Sequence, residues 1–147
     1  LYQFEIYGKP VPQKQTRFCL KGGFARPYDP SIKDKQQIQW QIKPNAPKIP
    51  LTCPIHLSIA FYLLPPKTAS KATKKAMLGR TILPNRKPDI DNLAYIITNA
   101  LKGIVYEDDS QICKMTLYKI YGKEEKTSIC VREILQLQEF GLHEITV

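Results

Sequence analysis

Between residues 93 and 104 the apolar side chains Leu93, Ile96, Ile97, Ala100, Leu101 and Ile104 fall at steps of 3, 4, 7, 8 and 11, the signature of one broad helical face. A face that wide must be covered, and the chain supplies a matching surface upstream. Ile55, Leu57, Ile59 and Phe61 alternate with His56, Ser58, Ala60 and Tyr62, the period-two pattern of a strand with one buried side. The remaining segments fit round this helix-on-sheet pair. Tyr2 to Tyr7 reads as an opening strand. Pro10 and Pro12 then forbid a regular ladder, and Lys14, Arg17, Lys21 and Arg26 surround Gly22-Gly23 in what reads as a mobile basic loop. Pro30 and Ser31 open a helix running to about Ile42, with a thin apolar face of Ile32, Ile38, Trp40 and Ile42. Pro44, Pro47 and Pro50 mark a connector, and a short helix is expected from Ser70 to Leu78. Ile112 to Tyr121 and Thr127 to Leu135 are expected to pair as a β-hairpin across GKEEK. The order β-α-β-α-β-β predicts one α+β domain over residues 1–147. It is a two-layer sandwich, with one mixed sheet and two main helices packed on one side.

Charge narrows the function. The 147 residues carry a formal net charge of +9, which suits a polyanionic partner. Only Glu5, Asp29 and Asp34 are acidic before residue 89; Asp89, Asp91, Glu107, Asp108 and Asp109 then arrive within a short span. Several classes drop out. There is no GxxxxGK[ST] phosphate loop, no GxSxG and no recognisable Cys–His pair. An EF-hand starting at Asp89 would put Ala94 where glycine is required and Ala100 where glutamate is required. Cys19, Cys53, Cys113 and Cys130 are too scattered for structural zinc and read as reduced thiols, and His56 and His143 read as structural. No apolar run approaches the roughly 20 residues of a membrane span. The amino end lacks the pattern of a secretory signal, so the expectation is a cytoplasmic protein without membrane contact.

Asp89 and Asp91 stand two apart just before the helix, where an extended entry would turn both carboxylates to one side. One of them is expected to cap the helix, and Gly103 to close its far end. Asp108 and Asp109 follow the short piece Ile104–Tyr106. A helix of about 12 residues spans roughly 18 Å, so Val105 and Tyr106 must run back along it for the two acidic groups to meet. Oxygen ligands without imidazole or thiolate suit Mg²⁺, with Mn²⁺ able to substitute. From Pro65 to Pro88 the chain carries Lys67, Lys71, Lys74, Lys75, Arg80, Arg86 and Lys87 and no acid, a stretch able to face phosphates.

KPDIDNL followed by NALKGIVYEDDSQI resembles the RusA family of Holliday-junction resolvases, common in prophages. GKPVPQKQTRF, ARPYDP and PPKTASKATKKAM extend the resemblance over most of the chain. It implies a bacterial or phage-encoded, homodimeric, Mg²⁺-dependent endodeoxyribonuclease. Such an enzyme hydrolyses phosphodiesters at a four-way junction by paired symmetrical nicks, in DNA recombination and repair, without a small-molecule cofactor. The resemblance assigns catalysis and metal binding to Asp89, Asp91 and Asp109, with Asp108 as a supporting ligand or neighbour. Lys14, Arg17, Lys67, Lys71, Lys74, Lys75, Arg86 and Lys87 are the candidates for DNA contact. Two positions depart from the family pattern: its catalytic lysine falls at Tyr95, and a further aspartate falls at Asn99. Lys87 and Lys102 are candidates to supply the missing charge. The alternative is a protein of the same fold that binds junction or duplex DNA and cuts weakly or not at all.

Overall fold

The computed structural model describes residues 1–135. The main sheet contains β1 (Tyr2–Tyr7), β4 (Ile55–Leu63), β5 (Ile112–Tyr121) and β6 (Lys126–Glu133), in the order β1-β6-β4-β5. β4 and β5 run parallel, and the other pairs are antiparallel. The expected mixed sheet is therefore present. The helices α1 (Ile32–Ile42) and α3 (Ile90–Leu101) pack on it.

Register shows which side they cover. Phe4 lies opposite Ile129, and Ile129 opposite Ile59; Val131 lies opposite Leu57. These side chains form one buried layer with Ile38 and Ile42 of α1 and with Leu93, Ile96, Ile97, Ala100 and Leu101 of α3. Burying each large aliphatic group of α3 contributes about 1.5–3 kcal/mol. The opposite sheet face carries His56, Ser58, Ala60, Ser128 and Cys130, short or polar groups over which no helix among the described residues packs.

Two expectations are corrected. β5 and β6 do not form a hairpin, because β4 lies between them and pairs with both. Ile55, Leu57, Ile59 and Phe61 are all essentially inaccessible, and a strand buried so completely belongs at the centre. β5, which carries Lys114 and Lys119, takes the edge, and Gly122–Glu125 crosses the end of β4 instead of closing a tight turn. The supposed mobile loop around Gly22-Gly23 is a second, two-stranded sheet, β2 (Arg17–Lys21) with β3 (Phe24–Tyr28). Both glycines have positive φ, 60° and 79°, the geometry a tight turn between twisted strands demands.

The short helix α2 (Lys71–Leu78) starts at Ser70, whose hydroxyl accepts the Thr73 amide, and buries no side chain. Ile104–Tyr106 is not a strand: its ladder pairing is limited to isolated bridges, Tyr106 to Leu51 and Tyr106 to Lys102, while Val105 and Tyr106 are buried in the core. No helix among the described residues is long and apolar enough to cross a membrane. β6 ends at Glu133, two residues before the expected Leu135, and His143 lies outside the described residues.

Candidate active site

α3 begins at Ile90, so Asp89 is its N-cap residue, in extended backbone, while Asp91 already belongs to the first turn. Strand alternation therefore does not align the two carboxylates. The expected cap also fails to form. The Asp89 carbonyl accepts the Leu93 amide at 3.1 Å, but its carboxylate makes no capping bond and instead pairs with Lys87 Nζ at 2.5 Å. Asp91 is exposed and forms no hydrogen bond or ion pair among the described residues. The positive end of the helix dipole favours an anion there.

The loop entering α3, which contains a cis Lys87–Pro88 bond, is held from the sheet. Lys119 Nζ of β5 donates to the Arg86 carbonyl at 2.8 Å and to the Pro88 carbonyl at 2.9 Å. Lys119 was not singled out from the sequence. Its signal was there: it sits two residues beyond Leu117 and aligns with Phe61, so β5 points a lysine to the helix side of the sheet.

Beyond α3, Gly103 turns the chain with φ 75°, and its amide donates to the Tyr106 carbonyl at 2.7 Å. Tyr106 is fully buried. Its hydroxyl donates to the Thr98 carbonyl at 3.1 Å and to Asp109 Oδ1 at 3.2 Å. The chain thus folds back beside α3 and brings Asp109 near Thr98, in the second half of the helix. Burial, and then the charge of Asp109, push the Tyr106 phenol far above its usual range, so it remains a donor. Asp108 is committed elsewhere. One oxygen pairs with Lys102 Nζ at 2.5 Å and the other accepts the Ser110 amide at 3.1 Å. The Asp108 amide donates to Gln111 Oε1 at 2.8 Å, completing a capping box. Lys102 and the Ser110 bond hold the Asp108 carboxyl below the ordinary carboxylate range.

Asp109 shares an open cavity with Tyr95, Thr98, Cys113, Lys114 and Met115. Asp91 precedes Tyr95 by four residues, so it lies about 6 Å away along the same helix face. Carboxylates thus stand at two places along α3: Asp89 and Asp91 at its amino end, and Asp109 beside Tyr95 and Thr98. Among the described residues no three carboxylate, imidazole or thiol groups close on one point. The donors still fit a hard divalent cation, being carboxylate oxygens only. Mg²⁺ needs no more than one or two protein carboxylates when it keeps its waters and binds substrate phosphate.

The comparisons with known proteins follow the same residues. Residues 7–132 match the family described as Endodeoxyribonuclease RusA, a span that includes both acidic stations and the β2–β3 pair. The chain belongs to the RusA family. RusA proteins are endonucleases that resolve Holliday junctions. The chain is also 29% identical over 136 residues to an uncharacterized protein, YqaN, of Bacillus subtilis strain 168, covering 90% of this chain and 96% of that one.

Within this RusA-family chain the departures Tyr95 and Asn99 lie four residues apart on α3, and Asn99 is half-buried. Tyr95 is 56% exposed and stands beside Asp109, where a lysine is expected. Of the two proposed substitutes, Lys102 is paired with Asp108 at the far end of α3, while Lys87 is already against Asp89. Lys71, Lys74 and Lys75 share one side of α2, being three and four residues apart. Lys74 also donates to the Lys67 carbonyl at 3.2 Å. Lys14 lies 3.9 Å from Asp34, and its amide donates to Ser31 Oγ at 2.9 Å. The neighbouring Gln13 amide donates to the Asn92 carbonyl at 3.0 Å, so this basic segment is tied to the start of α3. Arg17 opens β2, and Arg86 and Lys87 lie on the loop that Lys119 holds.

Proposed function

We propose that the protein is a divalent-cation-dependent endodeoxyribonuclease that resolves four-way DNA junctions by paired symmetrical nicks. The observation that carries the reading is Asp91: an exposed, unpartnered carboxylate on the α3 face that also presents Tyr95 beside Asp109. Asp89, Asp91 and Asp109 would hold the cation, Mg²⁺ with Mn²⁺ able to substitute, if the two acidic places draw together on it, and Asp108 orders the turn that presents Asp109. When bound, the cation offsets phosphate charge and lowers the pKa of an attacking water.

The chain's own groups do the rest. Tyr106 positions Asp109 by donating to one of its oxygens. Lys119 fixes the loop bearing Asp89 through two carbonyls. Lys87, now paired with Asp89, would be the group able to offer an ammonium to the phosphate in place of the charge that Tyr95 cannot supply. Lys14, Arg17, Lys67, Lys71, Lys74, Lys75 and Arg86 contact the DNA backbone. Two symmetry-related strands need two sites, so the active form is a homodimer with two-fold symmetry. An intracellular DNA substrate implies a cytoplasmic protein.

One observation favours a second reading: Tyr95, with its ring beside Asp109, suits a junction-binding protein that does not cut. Incubating a labelled four-way junction with Mg²⁺ separates the two. The nuclease reading expects paired nicks from the native protein and at least a hundredfold fewer from Asp91→Asn. Tight binding without nicks at every cation concentration supports the second reading, and equal nicking by both proteins removes the assignment of Asp91.

A further inference from the structure

The β2–β3 ribbon is the part of the fold that the carboxylate chemistry leaves unexplained. Every residue in both strands is exposed. An isolated two-stranded ribbon is marginal in water, so this one is built for contact. Its register divides it into two unlike faces. Arg17 pairs with Tyr28, Cys19 with Arg26, and Lys21 with Phe24; Phe18 pairs with Pro27 and Leu20 with Ala25. Since alternate residues share a side, Arg17, Lys21, Arg26, Phe24 and Tyr28 lie together. The other face is Phe18, Leu20, Ala25 and Pro27, and it has no charge.

The spacing on the charged face is regular. Arg26 stands level with Cys19, midway between Arg17 and Lys21, so a cation recurs about every 7 Å along the ribbon, at roughly 3.4 Å per residue. A row of cations at this spacing can meet several phosphates of one strand. Phe24, 74% exposed, and Tyr28 sit at opposite ends of the same face. Flat aromatic groups among cations are the means by which proteins hold unpaired bases.

The root of the ribbon is fixed next to the acidic station. The Gln13 amide donates to the Asn92 carbonyl, and Gln13 Nε2 donates to Asp29 Oδ1 at 3.0 Å. Asp29 also accepts the Ser31 amide at 2.8 Å and pairs with Lys35. Both legs are thus anchored within a residue of Asp91 or at the start of α1.

We propose that the Arg17–Lys21–Arg26 face of the β2–β3 ribbon is a docking platform for a DNA strand with unpaired bases, as at a branch point, with Phe24 and Tyr28 stacking on those bases. This rests on the junction-nuclease reading and names the part of the substrate that the ribbon takes. The test measures Kd for a four-way junction, a single strand and a perfect duplex across a salt series. The proteins are the native chain, Lys21→Ser/Arg26→Ser, Phe24→Ser/Tyr28→Ser, Phe18→Ser/Leu20→Ser, and a charge-matched control, Lys48→Ser/Lys123→Ser. Loss of the two cations is expected to weaken junction binding about tenfold and flatten the log Kd against log salt slope by about 1.4, near 0.7 per phosphate contact on an unpaired strand. Loss of the two aromatics is expected to weaken junction and single-strand binding about tenfold and duplex binding less than twofold.

The proposal is overturned if the cation variant matches the charge-matched control, or if Phe18→Ser/Leu20→Ser alone abolishes binding. It is also overturned if the aromatic variant loses duplex and junction affinity equally. A native protein that binds and cuts junctions while these variants are unaffected leaves the nuclease reading intact and removes only the platform. A native protein that binds no DNA removes both.

Discussion

Tyr95 tests how this chain differs from its family. Restoring the ammonium with Tyr95→Lys places a positive charge beside Asp109, and the nicking rate is expected to rise at least tenfold at saturating junction. An unchanged rate means that Lys87 or another group already supplies the charge. Lys119 is a positioning residue, acting through the loop that it holds. Lys119→Met keeps the aliphatic stem along the sheet but removes two charge-assisted hydrogen bonds. The expected result is a tenfold or greater fall in nicking, a cation requirement shifted to higher concentration, and a stability loss of about 1–2 kcal/mol. A stability loss with an unaltered cation requirement contradicts the positioning role. Tyr106→Phe removes a buried donor from Asp109 and is expected to cost about 1 kcal/mol in urea unfolding, together with weaker cation binding. At this scale the sequence was partly legible. The acidic residues, the turn at Gly103 and the fold-back to α3 could be read from spacing. The pairing of Asp89 with Lys87 and of Asp108 with Lys102 could not, because it depends on which rotamers neighbouring charges select.

The elements repeat that division. α3 and β4 were readable because the apolar pattern of each matches one period and both faces end up fully buried. Leu101→Ala, at the centre of that contact, is expected to lower stability by about 2–5 kcal/mol in denaturant unfolding. The pairing of β5 was not readable. Period-two patterns in β5 and β6 say that both are strands, but not that β4 separates them. That order is decided by which strand most needs a neighbour on each side. The β2–β3 ribbon escaped for a related reason: with no buried residue it has no core pattern, only glycines and charges. The open sheet face gives an element-scale pH prediction. Burial, then Lys114 and Arg132, lower the pKa of His56, whose Nε2 lies 2.8 Å from Thr116 Oγ1. The unfolded chain therefore takes up a proton first as pH falls below about 6.5. Stability is complete above that value and declines as pH falls toward the folded pKa. The urea midpoint is expected to drop between pH 7.5 and 5.5 in the native protein and to drop less in His56→Gln; equal drops contradict this.

For the whole molecule, the net charge of +9 and the concentration of acids at α3 are two halves of one arrangement. On the proposed reading a basic surface would gather DNA, and a local acidic station inside it would offer oxygen donors where a phosphate arrives. The apolar α3 face is spent on the core, so the acids are presented from the helix end and the following turn. The most direct measurement is a crystal structure soaked with Mn²⁺ and recorded at a wavelength where manganese scatters anomalously. The account predicts one anomalous peak, or a close pair, bridged by carboxylate oxygens from both Asp91 and Asp109, with Tyr95 swung aside. A peak bound by only one of these stations, or none at saturating Mn²⁺, contradicts it.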